Sequence, residues 1–241
     1  MPAHHSRRLV CAVVSFMLPT LCLAAWVATP GHASPRVRNI VIMISDGGGY
    51  NQAQAASLYR YGRPDALVFQ RFPLRLAMST FSADESGATA GYDPFAAWAE
   101  FGYFLRNATD SAAAGTAMAC GIKTYNKAIG VDLARQPVEN ILERAEKLGM
   151  ATGVVTTVPL SHATPAAFVA HHPDRGAYTH IARQMLMESR ADVIIGCGNP
   201  LYSDDASLVP EEKRDYQFVG GRETWDALVA GTLGGSRGFE D

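Results

Sequence analysis

Apolar residues of this 241-residue chain fall into two rhythms. Short runs without alternation read as strands: "RNIVIMIS" (Arg38–Ser45), "RLAMSTFS" (Arg75–Ser82), "ATGVVTTV" (Ala151–Val158) and "ADVIIGCG" (Ala191–Gly198). The β-branched density of the first predicts burial on both faces. Between the runs the period lengthens. "QPVENILERAEKLGM" (Gln136–Met150) sets Val138, Ile141, Leu142, Ala145 and Leu148 at helical spacing, and Gly149 ends it. "AYTHIARQMLMES" (Ala177–Ser189) and Arg222–Val229 predict further helices. Strands alternating with helices predict an α/β fold with a helix-covered, mostly parallel central sheet.

Two stretches fit this rhythm poorly. Ala83–Ala108 is aromatic-rich, with the character of an insertion carrying a short helix near Pro94–Phe104. The end, "GTLGGSRGFED", is glycine-rich and lacks the pattern of a closing strand, so the sheet is expected to be incomplete at its carboxyl end. No internal repeat or low-complexity tract is present.

Residues 1–33 have another organisation. "MPAHHSRR" is a positive start, Leu9–Ala28 is uncharged and apolar, and Gly31 and Ala33 form a small-residue cleavage pair. This is the layout of a secretory signal peptide, with residues 34–241 as the exported domain, periplasmic or extracellular. The alternative is a retained membrane anchor, since an apolar run of that length can span a bilayer. Neither Cys11 nor Cys22 follows the small residues of a lipoprotein site. "NAT" at Asn107 matches a glycosylation acceptor, which matters only on a eukaryotic secretory route.

Composition changes the picture less. With 48% hydrophobic residues, 18% charged and a net charge of −2, the chain is globular, and it lacks the basic balance expected of a nucleic-acid binder. Cleavage after Ala33 would remove Arg7 and Arg8 and no acid, leaving the product more acidic. Cys120 and Cys197 would remain; they can pair in an oxidising compartment or stay as buried free thiols.

Three stretches carry candidate chemistry, all at or near strand ends, where ligands gather in open α/β sheets. Asp46 opens "DGGG" directly after the first run. A carboxylate there can hold a cation beside glycines that turn tightly, or it can simply serve a turn or helix cap. In "TDSAAAGTAMACG", Ser111 is placed in the first turn of a small-sided helix running to about Cys120. Free N–H groups and about half a positive charge at such a start suit phosphate; an ordinary Asp110/Ser111 cap is the plainer reading. In "TTVPLSHATPAAFVAHHPDR", His162 and Thr164 follow the third run, Pro165 can start a helix, and Arg175 lies eleven positions beyond Thr164. A guanidinium can fork onto two phosphate oxygens, although a lone arginine is more often a surface group. His171 and His172 read as structural or solvent-facing.

Taken in order, "IVIMISDGGG", "ATDSAAAGTAMACGIKTYNKAIGVD" and "VVTTVPLSHATPAAFVAHHPDR" strongly resemble the amino-terminal half of alkaline phosphatase, over roughly Arg38–Gly198. The resemblance implies an alkaline-phosphatase-like three-layer α/β fold and hydrolysis of phosphate monoesters through a phosphoserine. It implies Ser111 as nucleophile and metal-bound oxygen, Asp46 as the carboxylate bridging zinc and magnesium, and Thr164 as a magnesium-site hydroxyl. Arg175 would clamp phosphate, with Asp110 orienting it. His162 falls where some members carry Asp and others His; an imidazole there weakens the hard oxygen shell that magnesium favours. Two zinc ions and one magnesium are implied, together with broad monoester substrates and a homodimer. A membrane partner is implied only if the signal is retained.

The histidines set a limit on that resemblance. The family's zinc ions need three histidines and two further aspartates from its carboxyl-terminal half, yet no histidine follows His180. His162, His171 and His172 belong to the matched segment, and Asp204, Asp205, Glu211 and Glu212 come too early to replace the missing acids. The chain is therefore expected to be an amino-terminal portion with little activity of its own. Two other readings stand beside it: a phosphodiesterase or sulfatase-like hydrolase of the same superfamily, and a non-enzymatic exported phosphate- or metal-binding module.

Overall fold

The computed structural model of the chain describes residues 37–83, 93–106 and 108–233. The expected signal peptide, Asn107 and the glycine-rich residues 234–241 lie outside them. The chain divides between Met43 and Ile44. On the amino-terminal side, residues 37–43 carry no assigned helix or strand, and Val41 and Met43 are exposed.

Neither of the first two expected strands forms a ladder among the described residues. Arg38–Ser45 has no strand assignment, and of the stretch after Arg75 only Ala83 pairs, in a single parallel bridge to Tyr125. The physical reason is general. Apolar density shows that a segment suits a buried strand, but a strand exists only where a second backbone answers its N–H and C=O groups.

The later runs do pair. Strands β1 (Gly153–Pro159) and β2 (Val193–Cys197) lie parallel, with Val154 opposite Ile194 and Val155 opposite Ile195. Helices α6 (Ala163–Ala166) and α7 (Tyr178–Arg183) fill the crossover, and a wider π turn, Gln184–Glu188, extends α7. Coverage is narrower than expected: Val154 and Ile194 pack on the core, while Val155 and Ile195 stay exposed. The chain is thus α/β, with a two-stranded parallel sheet among the described residues.

The remaining helices are α1 (Tyr50–Tyr61), α2 (Pro94–Ala99), α3 (Gly102–Arg106), α4 (Ser111–Cys120), α5 (Ile141–Lys147) and α8 (Arg222–Val229). Helix α5 is shorter than its apolar period suggests. Asn140 accepts from the Glu143 N–H at 3.0 Å, and Glu143 accepts from the Asn140 N–H at 2.9 Å. That capping box starts the helix at Ile141 and leaves Val138 outside it; at the other end Leu148 is exposed.

Small side chains set the core. Ala112 and Ala119 of α4 meet Ala163, Ala166, Phe168 and Ile181. A Cβ on Gly115 would stand 2.9 Å from Ala167 Cβ, so α4 and the residues just after α6 approach at glycine distance. Buried Thr116 then ties α4 to the next turn: its Oγ1 donates to Ala128 O at 3.0 Å and accepts from Gly130 N at 2.9 Å. Gly130 itself has φ +57°, and a Cβ there would meet Ala170 O at 2.5 Å.

Candidate active site

Helix α4 begins where the sequence placed it. Asp110 is its N-cap, with Oδ1 accepting from Ala113 N at 2.9 Å, and Gly121 closes it in the left-handed conformation. Ser111 is therefore the first helical residue, at the positive end of a ten-residue helix with only small side chains over its first two turns.

Asp46 sits in the turn held by the Gly48 N–H on Ser45 O. Its two oxygens reach two other elements. Ser111 Oγ donates to Asp46 Oδ1 at 3.1 Å, and Thr164 Oγ1 in α6 donates to Asp46 Oδ2 at 2.7 Å. Residues 65 and 118 positions from Asp46 thus share one carboxylate. This convergence requires α4 and α6 to lie close, which Gly115 permits.

On the other side of Ser111, Asp110 Oδ2 accepts from Arg175 Nη1 at 3.2 Å and from Lys127 N at 3.0 Å. Arg175 is also tethered through its backbone, its N–H donating to Lys127 O at 2.8 Å. Both side chains are roughly three-quarters buried, so the pair is partly shielded while the guanidinium keeps N–H groups beyond the one that Asp110 uses.

His162 lies two residues before Thr164, and its ring stacks on Tyr178 at 5.3 Å with Phe218 edge-on at 5.4 Å. Burial and then the Arg175 charge hold its proton affinity below the usual histidine value, which favours the neutral ring. His171 is structural, as its sequence context suggested: its ring nitrogens contact Gly130 O at 2.7 Å and Glu143 Oε1 at 2.9 Å. His172 bonds to the backbone of Asp174 and packs on His180. Among the described residues, Cys120 and Cys197 are free thiols; Cys120 is half-buried and Cys197 is exposed, so the picture of two buried thiols holds only in part. Burial, reinforced by the Glu143 charge, pushes the Cys120 thiol up to about 11.

Asp46, Ser111 and Thr164 supply one carboxylate and two hydroxyls, a hard oxygen set suited in kind to magnesium. They do not suit a zinc pair. Among the described residues no group of three or more His, Cys, Asp or Glu side chains is gathered as a metal would need.

Sequence reading passed over Asn126 and Lys127, although both lie in the quoted motif "GIKTYNKAIGVD". Lys127 takes a left-handed conformation, φ +77°, and so aims its N–H at Asp110 while its carbonyl receives Arg175. A non-glycine residue in that region became a signal only once the backbone was known.

These features describe an α/β protein that gathers a serine, an arginine and two aspartates around the start of one helix. The profile of the alkaline phosphatase family matches residues 37–229, and the chain belongs to that family. Alkaline phosphatase 4 of Bacillus subtilis is 34% identical over 192 residues, covering 76% of this chain and 38% of the relative. Alkaline phosphatase of Escherichia coli is 31% identical over 189 residues, 70% of this chain and 37% of the relative. Among solved structures, a cold-active alkaline phosphatase from a psychrophilic Shewanella is 35% identical, with a TM-score of 0.50 over 68% of this chain and 37% of that one. The chain spans less than half the length of these relatives.

Proposed function

We propose that residues around Ser111 form the phosphate-holding and nucleophilic part of a phosphate monoester hydrolase that works through a phosphoserine. One observation carries this reading: Asp46 joins Ser111 Oγ and Thr164 Oγ1, while Arg175 is held by Asp110 beside the same helix start. Family membership supports it.

In the reaction, the Ser111 hydroxyl gives up its proton as Oγ attacks phosphorus, the ester P–O bond breaks, and the alcohol departs with that proton. Water then attacks the phosphoserine, Ser111 leaves, and inorganic phosphate is released. Asp46 Oδ1 receives the Ser111 hydroxyl hydrogen bond and so orients the oxygen toward the incoming phosphorus. Arg175 and the N–H groups at the start of α4 bind the non-bridging oxygens, where charge accumulates during transfer. Asp110 keeps Arg175 in place without using all of its donors. Asp46, Thr164, Ser111 and His162 are the residues that would hold magnesium, which would supply Lewis-acid polarisation of the oxygens bound to it.

Zinc is expected in the complete family site, but the donors among the described residues fall short of it. The 241-residue chain is therefore expected to turn over p-nitrophenyl phosphate at or near background in zinc and magnesium, while still binding phosphate. Robust zinc-dependent turnover by this chain would contradict the claim that it holds only part of the site. Failure to bind phosphate at all would contradict the phosphatase reading itself.

A further inference from the structure

Asn126 is a residue that the reaction scheme above does not use, yet it holds the chain entering the nucleophile helix at two points. Its Oδ1 accepts from Asp110 N at 3.0 Å, and its Nδ2 donates to Ala108 O at 3.0 Å. The amide orientation is fixed by these partners. One is a donor and the other an acceptor, so only this placement of oxygen and nitrogen satisfies both.

We infer that Asn126 is a positioning residue for the Ser111–Arg175 pair, an inference that rests on the proposed phosphate reading. The influence of Asn126 runs through Asp110. Asn126 fixes the Asp110 backbone, and the next residue, Lys127, supplies an N–H to the Asp110 side chain. Two adjacent loop residues thereby set both the path and the side chain of the residue immediately before the nucleophile. Lys127 O also holds the Arg175 backbone, so the same dipeptide spaces the serine against the guanidinium.

The loop is itself anchored on both sides. Lys123 Nζ donates to Ser79 O at 2.9 Å and Phe81 O at 2.7 Å, and Tyr125 OH donates to Pro173 O at 3.2 Å. Pro173 lies two residues before Arg175, so this anchor reaches the strand of chain that delivers the guanidinium. Thr116, from within α4, secures Ala128 and Gly130 just beyond. A platform bound at so many points can transmit position, because little of it can relax when one contact is lost. Removing the Asn126 amide releases the Asp110 N–H and the Ala108 carbonyl together. The start of α4 then shifts relative to Arg175, although no group that touches phosphate has been deleted.

The test compares the full chain with Asn126→Ala in magnesium-containing buffer, using inorganic phosphate as the probe and following its 31P resonance. Asn126→Ala is expected to weaken phosphate binding about tenfold, as a small misplacement would, and to move the resonance of bound phosphate. Ser57→Ala is the control for stability alone. Ser57 is buried and ties Arg63 and Ala66 at the end of α1, so its loss lowers Tm without touching the Asn126 platform. It is expected to leave affinity and resonance unchanged. Should Asn126→Ala fail to fold, Asn126→Ser is read by the same two measures. Wild-type affinity with an unshifted resonance in the Asn126 variant overturns this inference alone. A wild-type chain that binds no phosphate overturns the functional reading, and this inference with it.

Discussion

Asp110 does two jobs that a substitution can separate. One oxygen caps α4 through Ala113 N, and the other pairs with Arg175. Asparagine caps a helix about as well as aspartate, whereas alanine loses about 1 kcal/mol. Asp110→Asn keeps the cap but sets an amide N–H against the Lys127 N–H and Arg175, whereas Asp110→Ala loses the cap as well, so the midpoint of denaturant unfolding should fall in both and by about 1 kcal/mol more in the second. Both should disturb Arg175, so phosphate affinity falls in both while the loss of stability is larger in the second. At this scale the sequence was informative about identities: Asp46, Asp110, Ser111, Thr164 and Arg175 were all legible, and the structure brings them into two hydrogen-bonded sets. It was silent on Asn126, because a polar loop residue carries no sign of which backbone it will hold. The ring of His162 was not legible either, since its packing depends on Tyr178 and on Phe218, 56 positions away.

At the scale of elements, the close approach of α4 to the residues after α6 brings Ser111 and Thr164 to one carboxylate. Gly115 is the contact point, with room for hydrogen and not for a methyl. Gly115→Val should force the elements apart and cost about 1–3 kcal/mol by overpacking, read as a fall in the unfolding midpoint. Adding Ala167→Gly removes the opposing Cβ and should recover part of that loss; no recovery would mean that the contact is not what limits the approach. Helix α4 was predicted closely because Asp110 caps it and Gly121 ends it, and helix α8 because its apolar residues keep a helical period. Helix α5 was overextended, since an apolar period does not reveal that the Asn140–Glu143 capping box starts the helix later. The strands over Arg38–Ser45 and Arg75–Ser82 failed for a different reason: strand formation is a property of pairs, and composition describes one member only.

For the whole molecule, pH acts through a group far in function from the site. The Cys120 thiol is raised from 9.0 to about 11 by burial and the Glu143 charge. Above 9.0 the unfolded chain releases this proton while the folded chain retains it, so stability falls as pH rises toward 11 and is unaffected below the ordinary thiol range. Cys120→Ala should flatten the decline of Tm between those limits, and an equally steep decline in the variant would show that other groups carry it. The α/β class and the family were legible at this scale because three motifs keep their order along the chain. The narrow, half-covered sheet was not, because coverage depends on what packs against each face.

In the proposed function, phosphate is held between Ser111 at the start of α4 and Arg175 on its Asp110 tether. Calorimetric titration of inorganic phosphate, with magnesium present, into the wild-type chain and into Arg175→Ala tests it most directly. The wild type should bind phosphate and the variant should bind it at least about tenfold more weakly, since a charge-assisted hydrogen bond contributes roughly 1.5–3 kcal/mol. Equal affinity in the two proteins would contradict it.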